Sequence, residues 1–136
     1  MKMRIEGCAI RFRLNRKDVA ELAGAGQILE SVEFAPAGDQ RLVYAIKVEP
    51  KLSVVAADYQ GGRITVRLPQ AQAREWLETD RIGLDGEQTL GGGRMLRILI
   101  EKDFQCLHTG NGRVEGEIDR EAYPNPLADA NRQKAG

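Results

Sequence analysis

This chain is poor in the residues that usually announce a chemistry. Its 136 residues hold two cysteines, Cys8 and Cys106, and one histidine, His108. A lone pair of thiols makes no disulfide framework, so a reducing cytoplasm is the expected home. The same scarcity falls short of the four ligands of a structural zinc site. Aromatic residues make up 5% of the chain, with a single tryptophan. That is few for a protein that would grip single-stranded nucleic acid by stacking bases. Charge of one sign is not in excess either: twenty Lys and Arg stand against twenty Asp and Glu. A protein built around sequence-independent DNA binding usually shows a basic surplus. No apolar run approaches the roughly eighteen residues of a membrane-spanning helix. The opening MKMRIEGCAIRFR alternates charge and apolarity, unlike the apolar core of a signal peptide.

What is present is a repeat. Gly7 matches Gly61, Ile10 matches Ile64, and Arg13 and Leu14 match Arg67 and Leu68, all at an offset of 54. Glu21 and Glu75, Ile28 and Ile82, Glu33 and Glu87, Leu42 and Leu96, and Ile46 and Ile100 continue the series without an insertion. Self-similarity at a fixed period points to one structural unit used twice. The copies cover about 1–50 and 55–104 of a single domain ending near 107, and 108–136 is read as a C-terminal extension with a solvated tail.

Each copy reads as β-β-α-β-β. In the first, Met3 and Ile5 lead through a turn at Glu6-Gly7 to the alternating run Ile10, Phe12, Leu14. In the second, 54–59 leads through Gly61-Gly62 to Ile64, Val66, Leu68, and Gly-Gly between two alternating runs is a strong hairpin signal. A short helix follows. Asn15 and Asp18 have capping-box spacing, and Pro69 suits the first turn of the second helix. Val19, Leu22, Ala23 and Ala73, Trp76, Leu77 each make one buried stripe. Strands at 28–34 and 42–48, then 82–89 and 95–100, close the units across Pro36-Ala37-Gly38 and Gly91-Gly92-Gly93. The expected fold is α+β, two tandem units in a pseudo-twofold, mainly antiparallel sheet or barrel-like domain.

At ILIEKDFQCL (98–107) and YPNP (123–126) the chain resembles an uncharacterised family of small bacterial proteins, a domain of unknown function. The family is marked by an IEKDF-x-CL stretch and a C-terminal Phe/Tyr-Pro-Asn-Pro. IRFRL (10–14) and ITVRLP (64–69) fit its earlier segments. The resemblance implies a bacterial, cytoplasmic, single-domain protein and carries over no functional residue.

Candidate chemistry is sparse. With Ile10, Phe12, Leu14 and Ile64, Val66, Leu68 facing inward, alternation turns Arg11, Arg13, Arg63 and Arg67 outward, and puts Arg97 and Lys47 on the outer side of the closing strands. Guanidiniums on a rigid sheet make two equivalent candidate anion sites, able to hold phosphate or carboxylate bidentately. The plainer expectation is that they face water or pair with Glu33, Glu49, Glu87 and Glu101. Cys106 and His108 beside Asp103 suggest a thiol nucleophile only where the imidazole reaches the sulfur. Glu101 and Asp103 are paired carboxylates with no cleft visible in the sequence. The triple glycine at 91–93 precedes a strand, not the helix that a phosphate loop requires.

No catalytic set or metal site emerges, and no cofactor is implied. The expected function is a small, non-enzymatic binding or interaction module for an acidic ligand or protein partner, with a homodimer allowed. The alternatives are a small enzyme with a site around Asp103–His108 between the repeats, or a weak nucleic-acid binder whose affinity would fall steeply with salt.

Overall fold

The computed structural model describes residues 1–103. Cys106, His108, the acidic stretch 115–121 and Tyr123–Pro126 lie outside the described residues. The elements follow the expected order. They are β1 (Lys2–Ile5), β2 (Ala9–Leu14), α1 (Arg16–Ala25), β3 (Gln27–Glu33) and β4 (Arg41–Glu49), then β5 (Ala56–Gln60), β6 (Arg63–Pro69), α2 (Gln70–Glu78), β7 (Gly83–Gly91) and β8 (Arg94–Lys102).

The strands do not form a single sheet. One four-stranded sheet runs β1-β2-β8-β7 and the other β3-β4-β6-β5. Each takes two strands from either half of the chain, so neither half makes a sheet alone. Replacing β1–β4 by β5–β8, and the reverse, converts one strand order into the other. The outer pairs are antiparallel hairpins, but the middle pairs, β2 with β8 and β4 with β6, are parallel. The expected single, mainly antiparallel sheet is thus corrected to two mixed sheets, in which the four outer pairings are antiparallel and the two middle ones parallel. The reason is a swap: a strand that closes one unit adds to the first hairpin of the other.

Local chemistry explains the element ends. The β5–β6 connection is Gly61-Gly62, with φ of 56° and 76°, the left-handed pair that a two-residue hairpin needs. The first hairpin turns at Gly7-Cys8 rather than Glu6-Gly7: the Glu6 amide donates to the Ala9 carbonyl at 3.1 Å. Gly7 still supplies a positive φ, 56°, as its match Gly61 does. Asn15 caps α1, and the capping box with Asp18 is complete, at 2.9 and 3.0 Å. Pro69 sits one position earlier than the first turn of α2, at its N-cap. Gly24 lies inside α1, and Gly26, in the left-handed conformation, ends the helix.

The two inner faces share one core. Phe12, Leu14, Ile98 and Ile100 from one sheet, and Ile28, Ile46, Val66 and Leu68 from the other, pack with Leu22 of α1 and Ala73 and Trp76 of α2. Trp76 is fully buried, and its indole N–H donates to the Ile82 carbonyl at 3.0 Å. Between β5 and β7 the Gln88 side chain satisfies both backbone groups of Ala57, at 2.9 and 3.0 Å. A Cβ on Gly86 would come within 2.8 Å of the Val55 Cβ, so only glycine permits this approach. Since 55 faces 86 and 57 faces 88, β5 and β7 run in the same direction. All four hairpin connections therefore gather at one end, and both helices close the other.

Candidate functional site

The five arginines do not share one surface. Arg11, Arg13 and Arg97 stand on the outer face of the β1-β2-β8-β7 sheet, and Arg63 and Arg67 on that of the other. Three are already ion-paired. Arg11 and Arg13 both reach Glu101, Arg13 at 3.2 Å, and Arg13 also lies 3.9 Å from Asp103. Arg67 donates to Asp58 at 2.9 Å and to Glu49 at 2.6 Å. Asp58 first and Glu49 second hold its guanidinium even more firmly protonated than usual. Both arrangements follow from register. Arg13 lies opposite Glu101 across the parallel pair, while Arg67 lies opposite Lys47 with Glu49 two residues on. Of the four expected carboxylate partners, Glu49 and Glu101 take up that role; Glu33 and Glu87 make no ion pair among the described residues.

Arg97 is different. Its backbone amide donates to the Cys8 carbonyl at 3.0 Å, but its side chain is exposed and has no hydrogen-bond or ion-pair partner among the described residues. Beside it lies an open groove of about 370 Å³ across the outer face of the sheet. Ala9 and Leu99 are the apolar side chains of its floor, and the longer charged side chains stand around them. Arg4, Arg11 and Arg97 contribute cations to its walls, and Glu6, Asp85 and Glu87 contribute carboxylates. Arg4 and Glu6 lie 3.9 Å apart, both exposed, so this pair restrains the groove only weakly. On the other sheet the repeat match of Arg97 is Val43, and Arg63, opposite it, donates to the Thr65 hydroxyl at 3.3 Å.

A second polar cluster went unnoticed in the sequence. The Met1 ammonium lies 2.8 Å from Glu30 and 3.0 Å from Asp18, and the Tyr44 hydroxyl donates to Glu30 at 2.9 Å. Burial alone would lower the pKa of that ammonium, but hydrogen bonds to Glu30 and Asp18 outweigh it and the pKa is raised. Burial and the Glu30 carboxylate both raise the pKa of Tyr44. In the second repeat the matched positions are Val55, Gln72, Leu84 and Ile98, so the cluster belongs to one copy only. No spacing rule joins residues 18, 30 and 44; alternation along β3 and β4, once paired, is what brings Glu30 and Tyr44 face to face.

Asp103, the described member of the Asp103–His108 group, is held by Lys2 at 3.4 Å and by Arg13. Among the described residues no three His, Cys, Asp or Glu side chains are grouped to hold a metal ion. Among them, too, no helix is long and apolar enough to cross a membrane.

A family model, described as a family of unknown function (DUF7009), matches residues 1–127. The chain belongs to DUF7009. The matched span takes in both repeats and every residue of the groove. No curated protein and no solved structure shows significant similarity to this DUF7009 member.

Proposed function

We propose that this DUF7009 protein is a non-enzymatic binding module whose ligand is an acidic segment of a protein partner. The groove on the β1-β2-β8-β7 sheet is its seat. The observation that carries this reading is Arg97: an exposed guanidinium with no partner among the described residues, on the wall of a groove with a largely apolar floor. A guanidinium already paired, as Arg13 and Arg67 are, must give up a carboxylate before it takes another, whereas Arg97 needs no such exchange. Leu99 and Ala9 would receive a small apolar side chain beside the ligand carboxylate, and Glu6, Asp85 and Glu87 would reject ligands with acidic groups placed elsewhere. The two-sheet scaffold suits such work, since binding groups on paired strands are held more rigidly than on loops.

The test is fluorescence anisotropy with labelled Glu-rich peptides carrying one apolar residue. Binding should weaken about tenfold in Arg97→Glu, which removes one charge-assisted contact and adds repulsion, and should change little in Arg63→Glu on the other sheet. Equal loss in both variants would mean unspecific charge attraction and would sink the groove as the site.

A further inference from the structure

The inner face of each sheet shows a gradient of exposure. At the helix end Phe12, Leu68, Ile46 and Leu84 are fully buried. Along the same alternating rows toward the hairpin end, Ile64 is still buried, but Ile5, Tyr59, Val32 and Phe34 are 58%, 67%, 43% and 71% exposed. Register places Ile5, Tyr59 and Val32 on the core side, paired with Ile10, Ile64 and Leu42, and Phe34 follows one residue past the end of β3. Leu90, near the end of β7, is 42% exposed at the same end. Ile5 and Tyr59 are themselves a repeat-matched pair. Helices cover one end of the core, leaving Val54 and Ile82 exposed at its edge, and nothing among the described residues covers the other.

We propose that this uncovered end is a self-association surface, on which a second copy of the chain docks end to end about a twofold axis. Three features favour a second copy. Tyr59 and Leu90 stand on the β5 and β7 edges and Ile5, Val32 and Phe34 on the β1 and β3 edges, and together they expose apolar surface on the order of 500 Å², more than scattered single residues. With a polar rim this approaches the roughly 800 Å² per partner of a stable interface. The charges around this end that have no partner among the described residues are of both signs, Arg41 and Arg94 against Glu33 and Asp39. A balanced rim complements another copy of itself, whereas a strongly acidic or basic partner would meet as much repulsion as attraction. The surface is separate from the groove beside Arg97, so this inference does not depend on the function proposed above.

Sedimentation velocity on the full chain, from about 1 to 200 µM, tests it. The expected result is a concentration-dependent monomer–dimer equilibrium. Phe34→Ser with Tyr59→Ser should weaken it at least tenfold, because exposed aromatic residues dominate such contacts. Both side chains are mostly exposed, so the thermal transition measured at low concentration should stay in place and separate lost docking from lost folding. Arg97→Glu should leave the equilibrium unchanged. A wild-type chain that is monomeric throughout the range overturns the proposal, as does a dimer that survives the double substitution. A monomeric wild type that takes up an unrelated amphipathic helix at this end would assign the surface to a different kind of partner and would also refute self-association.

Discussion

Asp18 does two jobs at once. Its carboxylate closes the capping box with the Asn15 amide and also faces the Met1 ammonium, at 3.0 Å in each case. The capping role was readable from an Asn-x-x-Asp spacing; the ammonium contact was not, because it depends on where β1 and α1 come to rest. Glu30 and Tyr44 complete the cluster, and their chemistry gives a pH dependence with a definite sign. The Met1 ammonium and the Tyr44 phenol both have folded-state pKa values raised above the ordinary 8.0 and 10.0. A raised folded pKa means that the native state holds the proton more tightly. Its contribution to stability is therefore complete below the unfolded pKa and is lost as pH rises through the folded value. The melting temperature should decline as pH passes about 8 and continue to fall above 10. Tyr44→Phe should flatten the upper part of that decline, while the lower part, set by the ammonium, persists. Calorimetry across this range decides the matter; an alkaline limb identical in Tyr44→Phe would show that the phenol plays no part. Core positions make a second residue-scale expectation. Leu14 and Leu68 are repeat-matched and equally buried. Each change to Ala should cost about 2–5 kcal/mol in a denaturant titration. A tolerated substitution at one position would mean that the halves are not packed alike. Gly86→Ala should also destabilise, since its new Cβ must push against Val55.

At the scale of elements, the sequence was informative about kinds and silent about partners. Alternation in 10–14, 64–68 and 96–100 identified strands, the 19-22-23 and 73-76-77 spacings identified helices, and Gly61-Gly62 identified its turn, because each signal lies within one element. Boundaries slipped where a neighbour decides them: Val54 and Ile82 fall outside the strands, and Ile82 spends its carbonyl on Trp76 and on the Lys102 amide. Strand pairing was not legible. A parallel neighbour such as Ile10 beside Ile98 leaves no local trace in either segment. The candidate site suffered in the same way. Arg11, Arg13 and Arg67 were correctly turned outward by alternation, yet whether each found a carboxylate depended on the register of a strand from the other half. Arg97 and Arg4 meet across one groove for that reason alone. The swap has a consequence that fragments can test. The segment 1–52, expressed alone, holds β1, β2, β3 and β4 but not the middle partner of β2 or β4. It should show no cooperative unfolding as a monomer, because isolated hairpins are marginal in water. Mixing it with 53–136 should restore a cooperative transition by circular dichroism. A folded monomer of 1–52 would mean that its hairpins pair in a way the full chain does not use.

For the molecule as a whole, the decisive feature is polarity from end to end. Trp76, Leu22 and the lower rows of both sheets form a buried layer under the helices, with Val54 and Ile82 exposed at its edge, whereas at the hairpin end Ile5, Val32, Phe34, Tyr59 and Leu90 are exposed. Stability should not be uniform along that axis. Local opening needs less energy where few buried contacts must be broken, so the hairpin end belongs to the low-stability part of the molecule. Hydrogen exchange followed by mass spectrometry should find 64–68 and 98–101 among the slowest amides, protected nearly to the limit of global unfolding. Segments 31–34 and 88–96 should exchange at least tenfold faster at low protein concentration. Raising the concentration should slow that second set selectively, since docking of a second copy would cover the open rows while leaving the helix end as it was. Uniform protection along the strands would mean that the exposed rows are held as firmly as the core. Selective slowing at the hairpin end would tie the apolar mouth to assembly, and with it explain why a chain with so little exposed chemistry keeps two aromatic rings in water.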